Sequence, residues 1–407
     1  MINKVRGTQD LYGKKINKLQ HIVTNFTRIA NLYGYSQIRT PILENIETFV
    51  RSVGETSDIV KKEFYNFIDK GGREVALRPE GTAPVIRCVI EEKLLYSLPK
   101  PLKFYYTGPM FRYERPQSGR YREFDQFGYE IIDSNTIYDD FEIIKLNVDS
   151  LKSVGIMDVT IKINNLGTFD SREKWINSLK QYFKKYKNEL SELSQERLEK
   201  NPTRILDDKI DGIKEFVKKA PKISDFLSKE EKTQHSGLLK LLSEFKIKYE
   251  IDETLVRGLD YYTNMVFEII NKDGLALGGG GRYSKLVSEF GGEDVNCVGS
   301  AFGISRIIDE LSMAIESSID IVFAPMVNKA EVRVLNYLNK CREKGISCVA
   351  KYGFNKLTNV FKYAQNVNAK YVIIVGEKEL KDNTISIKNQ KTMDQKNIDF
   401  IDFINSF

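Results

Sequence analysis

A chain of 407 residues exceeds what one ordinary hydrophobic core encloses, so two or three domains are expected. With 41% hydrophobic and 29% charged residues the composition is that of a globular protein, and no apolar run approaches the roughly 18 residues of a membrane span, which excludes a membrane partner of that kind. The net charge of +6 is compatible with a polyanionic partner but too small to argue for one.

The N-terminal segment MINKVRGTQDLYGKK has no apolar core ahead of a small-residue cleavage site, so it does not read as a secretory signal and a cytoplasmic location is expected. The cysteines Cys88, Cys297, Cys341 and Cys348 never stand at C-x-x-C spacing and read as reduced, inert thiols. Only His21 and His235 occur, which removes nearly all support for histidine-built metal sites and for Ser-His-Asp catalysis. No protein-held metal is expected, and the chemistry falls to carboxylates, arginines and amides.

In chain order, Ile16, Leu19, Ile22, Val23, Phe26, Ile29, Ala30 and Tyr33 stand at helical spacing, with Gly34 where a C-terminal cap would lie. The following YSQIRTPILE is extended in character, and Pro41 keeps it from a central ladder position. This region reads either as a subunit interface or as simple packing. From residue 74 to 132, the runs EVALRP, LKFYYTGPMFRYE and REFDQFGYEII alternate with polar breaks and predict an antiparallel sheet. Residues 169–250 change to lysine, glutamate and leucine at helical spacing, interrupted by Pro202 and Pro221, which predicts a helical insertion. Strand character returns in VRGLDYYTNMVFEII, followed by a glycine-rich turn and an apolar stretch ending near Leu311. From Asp320 onward, strands alternate with helices, the pattern of a small α/β domain with a largely parallel sheet.

The chemistry concentrates between Phe104 and Ile132, two predicted strands joined by ERPQSGRYR. Period-two alternation puts Arg122, Phe124, Gln126, Gly128 and Glu130 on one face of the second strand, with Gly128 removing bulk where a ligand would lie on the sheet. It groups Tyr106, Gly108, Met110, Arg112 and Glu114 on the first, beside a loop carrying Arg115 and Arg120, arginines suited to clamping phosphates. Taken alone, such a hairpin is more often a solvated surface element. The mixture of glycine and charge on a polar-faced strand favours a site.

MFRYERPQSGRYREF resembles the second signature of class II aminoacyl-tRNA synthetases, above all of their histidine-specific branch. LRPEGTAPVIR at 77–87 and LVRGLDYYTNMVFE at 255–268 are similar to segments of the histidyl enzymes, and other class II members lack RGLDYY. ALGGGGRY at 276–283 and VGSAFGISRI at 298–307 resemble the family's glycine-rich segment and third class signature. The resemblance implies an α+β protein: a class II catalytic domain with an antiparallel sheet (residues 1–168 and 251–318), a helical insertion (169–250), and a C-terminal α/β anticodon-binding domain (319–407).

The same resemblance implies a histidine–tRNA ligase. ATP, arriving with Mg²⁺, would activate L-histidine, and the adenylate would pass to the 3′ end of tRNA(His), within a homodimer built through the region from Gly34 to Glu44. Carried over position by position, Arg112 would bind the α-phosphate, Glu114 the adenine amino group, Phe124 and Arg306 the two adenine faces, and Arg120 the distal phosphates. Arg257 would contact both the histidine carboxylate and the α-phosphate, a catalytic cation where other class II enzymes employ a metal. Glu80, Gly81, Thr82 and Gln126 would hold the α-amino end of histidine. Glu130, Tyr261 and Tyr262 would surround the imidazole, and Arg115 and Gln117 would touch the tRNA acceptor stem. In isolation Glu130 reads as a bridge to a lysine, and Tyr261 and Tyr262 as ordinary strand aromatics. Their joint appearance in matching motifs reverses that reading. Ser305, Tyr113, Asp125 and Glu123 depart from the family's usual pattern. The run Gly278 to Gly281 lacks a P-loop ending, and close backbone approach to the substrate is expected there instead.

Overall fold

The computed structural model describes residues 2–53, 63–114, 119–206, 208, 210–256, 261–312, 318–353 and 356–407. The chain forms two compact units, Met1–Met313 and Ala314–Phe407.

The first helix, Lys14–Leu32, buries Ile22, Phe26, Ile29 and Ala30 on one stripe, as the 3.6-residue period requires. Its exit is a Schellman turn. The Tyr35 amide donates to Ala30 O at 3.0 Å and the Gly34 amide to Asn31 O at 3.1 Å, and Gly34 takes φ 78°, a conformation that costs glycine nothing.

That helix lies against an eight-stranded sheet. In chain order the strands of the first unit are β1 (Ser36–Gln37), β2 (Leu43–Asn45), β3 (Tyr65–Ile68), β4 (Glu74–Leu77), β5 (Leu102–Phe111), β6 (Glu123–Ile132), β7 (Val159–Asn165), β8 (Tyr249–Ile251), β9 (Tyr262–Asn271), β10 (Ala276–Tyr283) and β11 (Cys297–Gly303). The main sheet runs β1-β5-β6-β11-β10-β9-β7-β8, antiparallel throughout its centre with one parallel pair at each edge. Pleating divides its residues between two faces. Tyr105, Phe127, Tyr129, Phe267 and Phe302 pack beneath the first helix, the helix Ile137–Ser153 and the helix Ile304–Glu310 in one large core. The alternate residues Gln126, Gly128 and Glu130 are thereby committed to the opposite face.

Two expectations are corrected. Residues 74–132 do not form one sheet: β4 pairs with β2 and β3 in a separate three-stranded sheet, and the helix Thr82–Glu91 intervenes before β5. That helix buries Val85, Ile86 and Val89, so its apolar stripe serves a second core rather than a strand face. The glycine-rich stretch is no turn but strand β10, in the middle of the main sheet. A Cβ on Gly280 would stand 2.0 Å from Gly299 O, and one on Gly281 would stand 2.6 Å from Met265 O. The close approach that excludes side chains at these two positions is made by neighbouring strands.

Residues 169–250 are helical for most of their length, with helices at Phe169–Lys184, Glu192–Lys200 and Lys229–Glu244 and shorter turns between, and their last residues return to the main sheet as β8. Trp175 and Leu179 anchor the segment to the second core, and the Trp175 indole N–H donates to Pro221 O at 2.7 Å. Glu231, in a capping box with Ser228, also accepts from the Thr168 amide at 2.6 Å and from Ser171 Oγ at 2.8 Å, tying the start of the segment to its last helix. Burial opposes its ionisation, but the amides of Thr168 and Ser228 outweigh that and hold its carboxyl at about 2.

In the second unit the strands are β12 (Ile321–Pro325), β13 (Cys348–Ala350), β14 (Tyr371–Val375), β15 (Ile385–Asn389) and β16 (Gln395–Ile398), ordered β13-β12-β14-β15-β16. The expected largely parallel sheet is half right. The first three strands are parallel, whereas β15 and β16 are antiparallel additions. The short turn Gln390–Asp394, closed by the Met393 amide on Asn389 O, permits only an antiparallel return. One face is covered by the helices Asn328–Glu343 and Phe400–Asn405, the other by Leu357–Asn366.

Candidate active site

The free face of the main sheet carries a cavity of about 330 Å³. Its walls include Glu80, Thr82, Arg112, Glu114, Arg120, Phe124, Gln126, Tyr261, Tyr262 and Arg306, ten of the residues singled out from sequence. They come from four separated segments, joined because β5, β6, β11, β10 and β9 are adjacent in the sheet.

At one end the pocket is buried and hydrogen-bonded. Glu80 is fully buried and accepts from the amides of Thr82 (2.7 Å) and Ala83 (2.9 Å), so it closes the first turn of the helix Thr82–Glu91. Burial raises its carboxyl above the usual range, against the pull of those amides and of Arg112. Gln126 presents a buried Oε1 that has no hydrogen-bond partner among the described residues, an acceptor suited to an N–H donor such as an ammonium. The rings of Tyr261 and Tyr262 lie 4.6 Å apart at the same end.

Glu130 is not on the wall. It is fully buried, its Oε1 accepting from Thr82 Oγ1 and its Oε2 from the Tyr283 hydroxyl, both at 2.6 Å. Burial pushes its carboxyl up to about 8 despite those two donors. Gly81 is likewise covered. The ring of Tyr106 fills the space above Gly81 and Gly128, 2.1 Å and 2.2 Å from where a Cβ would stand, so the bulk that glycine removes at 128 makes room for a tyrosine and not directly for a ligand.

The other end is charged. The Arg112 Nε donates to Pro79 O at 2.8 Å, its guanidinium lies 5.4 Å from the Phe124 ring centroid, and it stands 3.9 Å from Glu114. Arg120 pairs with Glu114 at 3.2 Å. Arg306 donates to Ala276 O at 2.5 Å, and burial, followed by the nearby Arg120, lowers its pKa. Three guanidiniums therefore gather at this end, with Arg112 over the Phe124 ring and Arg120 close enough to Arg306 to oppose its charge, an arrangement whose chemistry suits an anion.

Arg257, Arg115 and Gln117 lie outside the described residues. Sequence reasoning gave no role to Tyr106, Tyr283 or Glu268, which lines the pocket from β9. Tyr283 closes the quoted segment ALGGGGRY, but nothing in its spacing points to Glu130, which reaches it across the intervening strand β11.

The chain matches the family model for Histidyl-tRNA synthetase over residues 7–307 and that for the Anticodon binding domain over residues 320–407. It is 46% identical over 406 residues to a histidine–tRNA ligase of Malacoplasma penetrans, covering 97% of this chain and 95% of that protein. To the histidine–tRNA ligase of Bacillus licheniformis it is 41% identical over 412 residues, covering 99% and 97%. The crystal structure of apo histidyl-tRNA synthetase from S. aureus superposes with a TM-score of 0.84 at 32% identity, each chain fully covered.

Proposed function

The chain belongs to the histidyl-tRNA synthetase family, and from that membership we infer how its pocket divides the labour of a histidine–tRNA ligase. The reaction has two steps: the histidine carboxylate attacks the α-phosphorus of ATP and expels pyrophosphate, and a ribose hydroxyl at the 3′ end of tRNA(His) then attacks the carbonyl carbon of the adenylate and expels AMP. Neither step requires a covalent enzyme intermediate. The protein's task is to hold two anions in line and to stabilise charge growing on the α-phosphate.

Arg112 and Arg257 take that charge. Phe124 and Arg306 sandwich the adenine, Glu114 accepts from its amino group, and Arg120 meets the distal phosphates. Glu80, Thr82 and Gln126 receive the α-ammonium, with Gly81 beneath them, while Tyr261, Tyr262 and the recessed Glu130 recognise the imidazole. The observation that carries this reading is the segregation within one pocket. Buried acceptors, including a Gln126 Oε1 without a partner among the described residues, gather at one end, and guanidiniums, Arg112 over the Phe124 ring among them, gather at the other.

Mg²⁺ enters with ATP. The ion would be carried mainly by phosphate oxygens, and the carboxylates on the pocket wall are Glu80, Glu114 and Glu268. The bound ion would neutralise phosphate charge. We assign residues 1–168 and 251–318 to catalysis, 169–250 to the insertion and 319–407 to the anticodon, with Arg115 and Gln117 toward the acceptor stem and the cytoplasm as the place of work. A homodimer through Gly34 to Glu44 is supported by Ile42, Leu43, Phe67 and Ile68, which are exposed on and beside the three-stranded sheet. A monomeric mass at micromolar concentration would contradict it.

Amino-acid-dependent ATP–pyrophosphate exchange, run with each common amino acid in the absence of tRNA, tests the division of the pocket. Exchange confined to histidine is the expected result, and exchange driven by another amino acid would overturn the imidazole assignment.

A further inference from the structure

Glu130 is a buried carboxyl that forms no ion pair among the described residues, and its position is set by hydroxyls. The groups facing it are Glu80 and Thr82 from the start of the helix Thr82–Glu91, Tyr106 from β5, Tyr261 ahead of β9, Tyr283 from β10 and Cys297 from β11. Thr82 is part of the pocket wall and holds Oε1, while Tyr283 approaches from outside the cavity and holds Oε2. The space for that contact is reserved. Gly299 pairs with Glu130 across the ladder, and a Cβ there would stand 1.8 Å from Oε2. Tyr283 also packs edge-on against Tyr261, with ring centroids 5.6 Å apart, so one side chain touches two residues proposed to read the imidazole.

We propose that Tyr283 is a positioning residue for histidine selection: its hydroxyl fixes the orientation of the Glu130 carboxyl, and its ring fixes that of Tyr261. The proposal rests on the reading of Glu130 as an imidazole contact. A carboxyl has about four acceptor positions, and two here are filled by the protein, which directs the remainder. A polar group buried without that second anchor would rotate, and the site would lose its geometry for a ring N–H before it lost anything at the ATP end. The Tyr283 hydroxyl also stabilises the carboxylate over the acid. Its removal therefore makes Glu130 harder to ionise.

The test is Tyr283→Phe in the full chain, followed by histidine-dependent ATP–pyrophosphate exchange across pH, with Glu130→Gln in parallel. The expected result is a KM for histidine raised about tenfold, a KM for ATP within twofold of wild type, and an acid limb of kcat/KM for histidine displaced to higher pH. A mere packing role would leave the acid limb in place. If Glu130→Gln raises the KM for histidine and Tyr283→Phe does not, the proposal falls and the site reading stands. If Glu130→Gln itself leaves that KM unchanged, the site reading falls and takes the proposal with it. Should Tyr283→Phe not accumulate folded, Gly299→Ala crowds the same Oε2 and is read in the same way, with an unmoved KM for histidine again overturning the proposal.

Discussion

Glu80, Thr82, Gln126, Tyr261 and Tyr262 at the proposed amino-acid end are each less than a tenth exposed, whereas the Arg120 side chain at the proposed nucleotide end is 46% exposed and is held mainly by Glu114. Around the first group the acceptors are already arranged, and entry of the ligand would replace water in a nearly finished polar cavity. Around the second, long cationic arms are held by partners that a phosphate would displace. The difference teaches how one pocket serves two substrates. Discrimination among amino acids of similar size demands preorganised and desolvated partners, because leaving such groups unpaired costs a wrong ligand roughly 10⁴ to 10⁵ in rate. A triphosphate needs only charge in the right place, and charge acts at longer range and tolerates solvent.

The largest effect is expected at Arg257, the residue proposed to contact both substrates. Arg257→Ala is expected to slow single-turnover histidyl-adenylate formation at least about 10²-fold, the scale of losing one preorganised transition-state donor. A single-turnover rate equal to wild type would remove Arg257 from the catalytic machinery.

The buried end has a cost in stability that pH exposes. The Glu130 carboxyl, raised by burial to about 8, ionises near its ordinary 4.5 in the unfolded chain. Between those values the unfolded state releases a proton that the folded state keeps, so this group's contribution to stability falls as pH rises from about 4.5 to 8 and is level beyond. Glu130→Gln removes the dependence. Chemical denaturation of the ligand-free protein should show the variant gaining on wild type by ~3.5 kcal/mol between pH 5 and pH 8. A difference that stays constant over that range would mean that Glu130 is ionised throughout.

The solvated end should be the more forgiving. Arg120→Ala is expected to raise the KM for ATP only about fivefold, because an exposed guanidinium contributes roughly 1 kcal/mol, and that increment should shrink at high salt. A loss of 10²-fold would place Arg120 among the preorganised groups and blur the contrast.

How legible each end was from sequence follows from the same physics. Period-two alternation correctly placed Phe124 and Gln126 toward one face, since the odd-numbered Phe127 and Tyr129 must enter the core beneath the first helix. It could not see that Tyr106 would fold over Gly128, because that contact depends on side-chain direction between paired strands. The glycine run was misread as a turn for a related reason. Glycine is a turn former by local propensity, and only the closeness of β11 and β9 makes it obligatory in a central strand at 280 and 281. EVAL carried strand propensity and became a strand, but its partners, β2 and β3, were not written in that propensity.

The sequence by itself determined the alternation of elements, the composition of the two units and the short segments that carry charge and aromatic rings, because these depend on local periodicity and on residue chemistry. The tertiary structure alone decided that Glu130 lies behind the pocket wall with Thr82 and Tyr283 on its two oxygens, and that Glu80 closes a helix while facing the cavity. Those outcomes depend on distances between strands far apart in the chain, and on burial, which changes the ionisation of a carboxyl only after the surrounding water has been excluded.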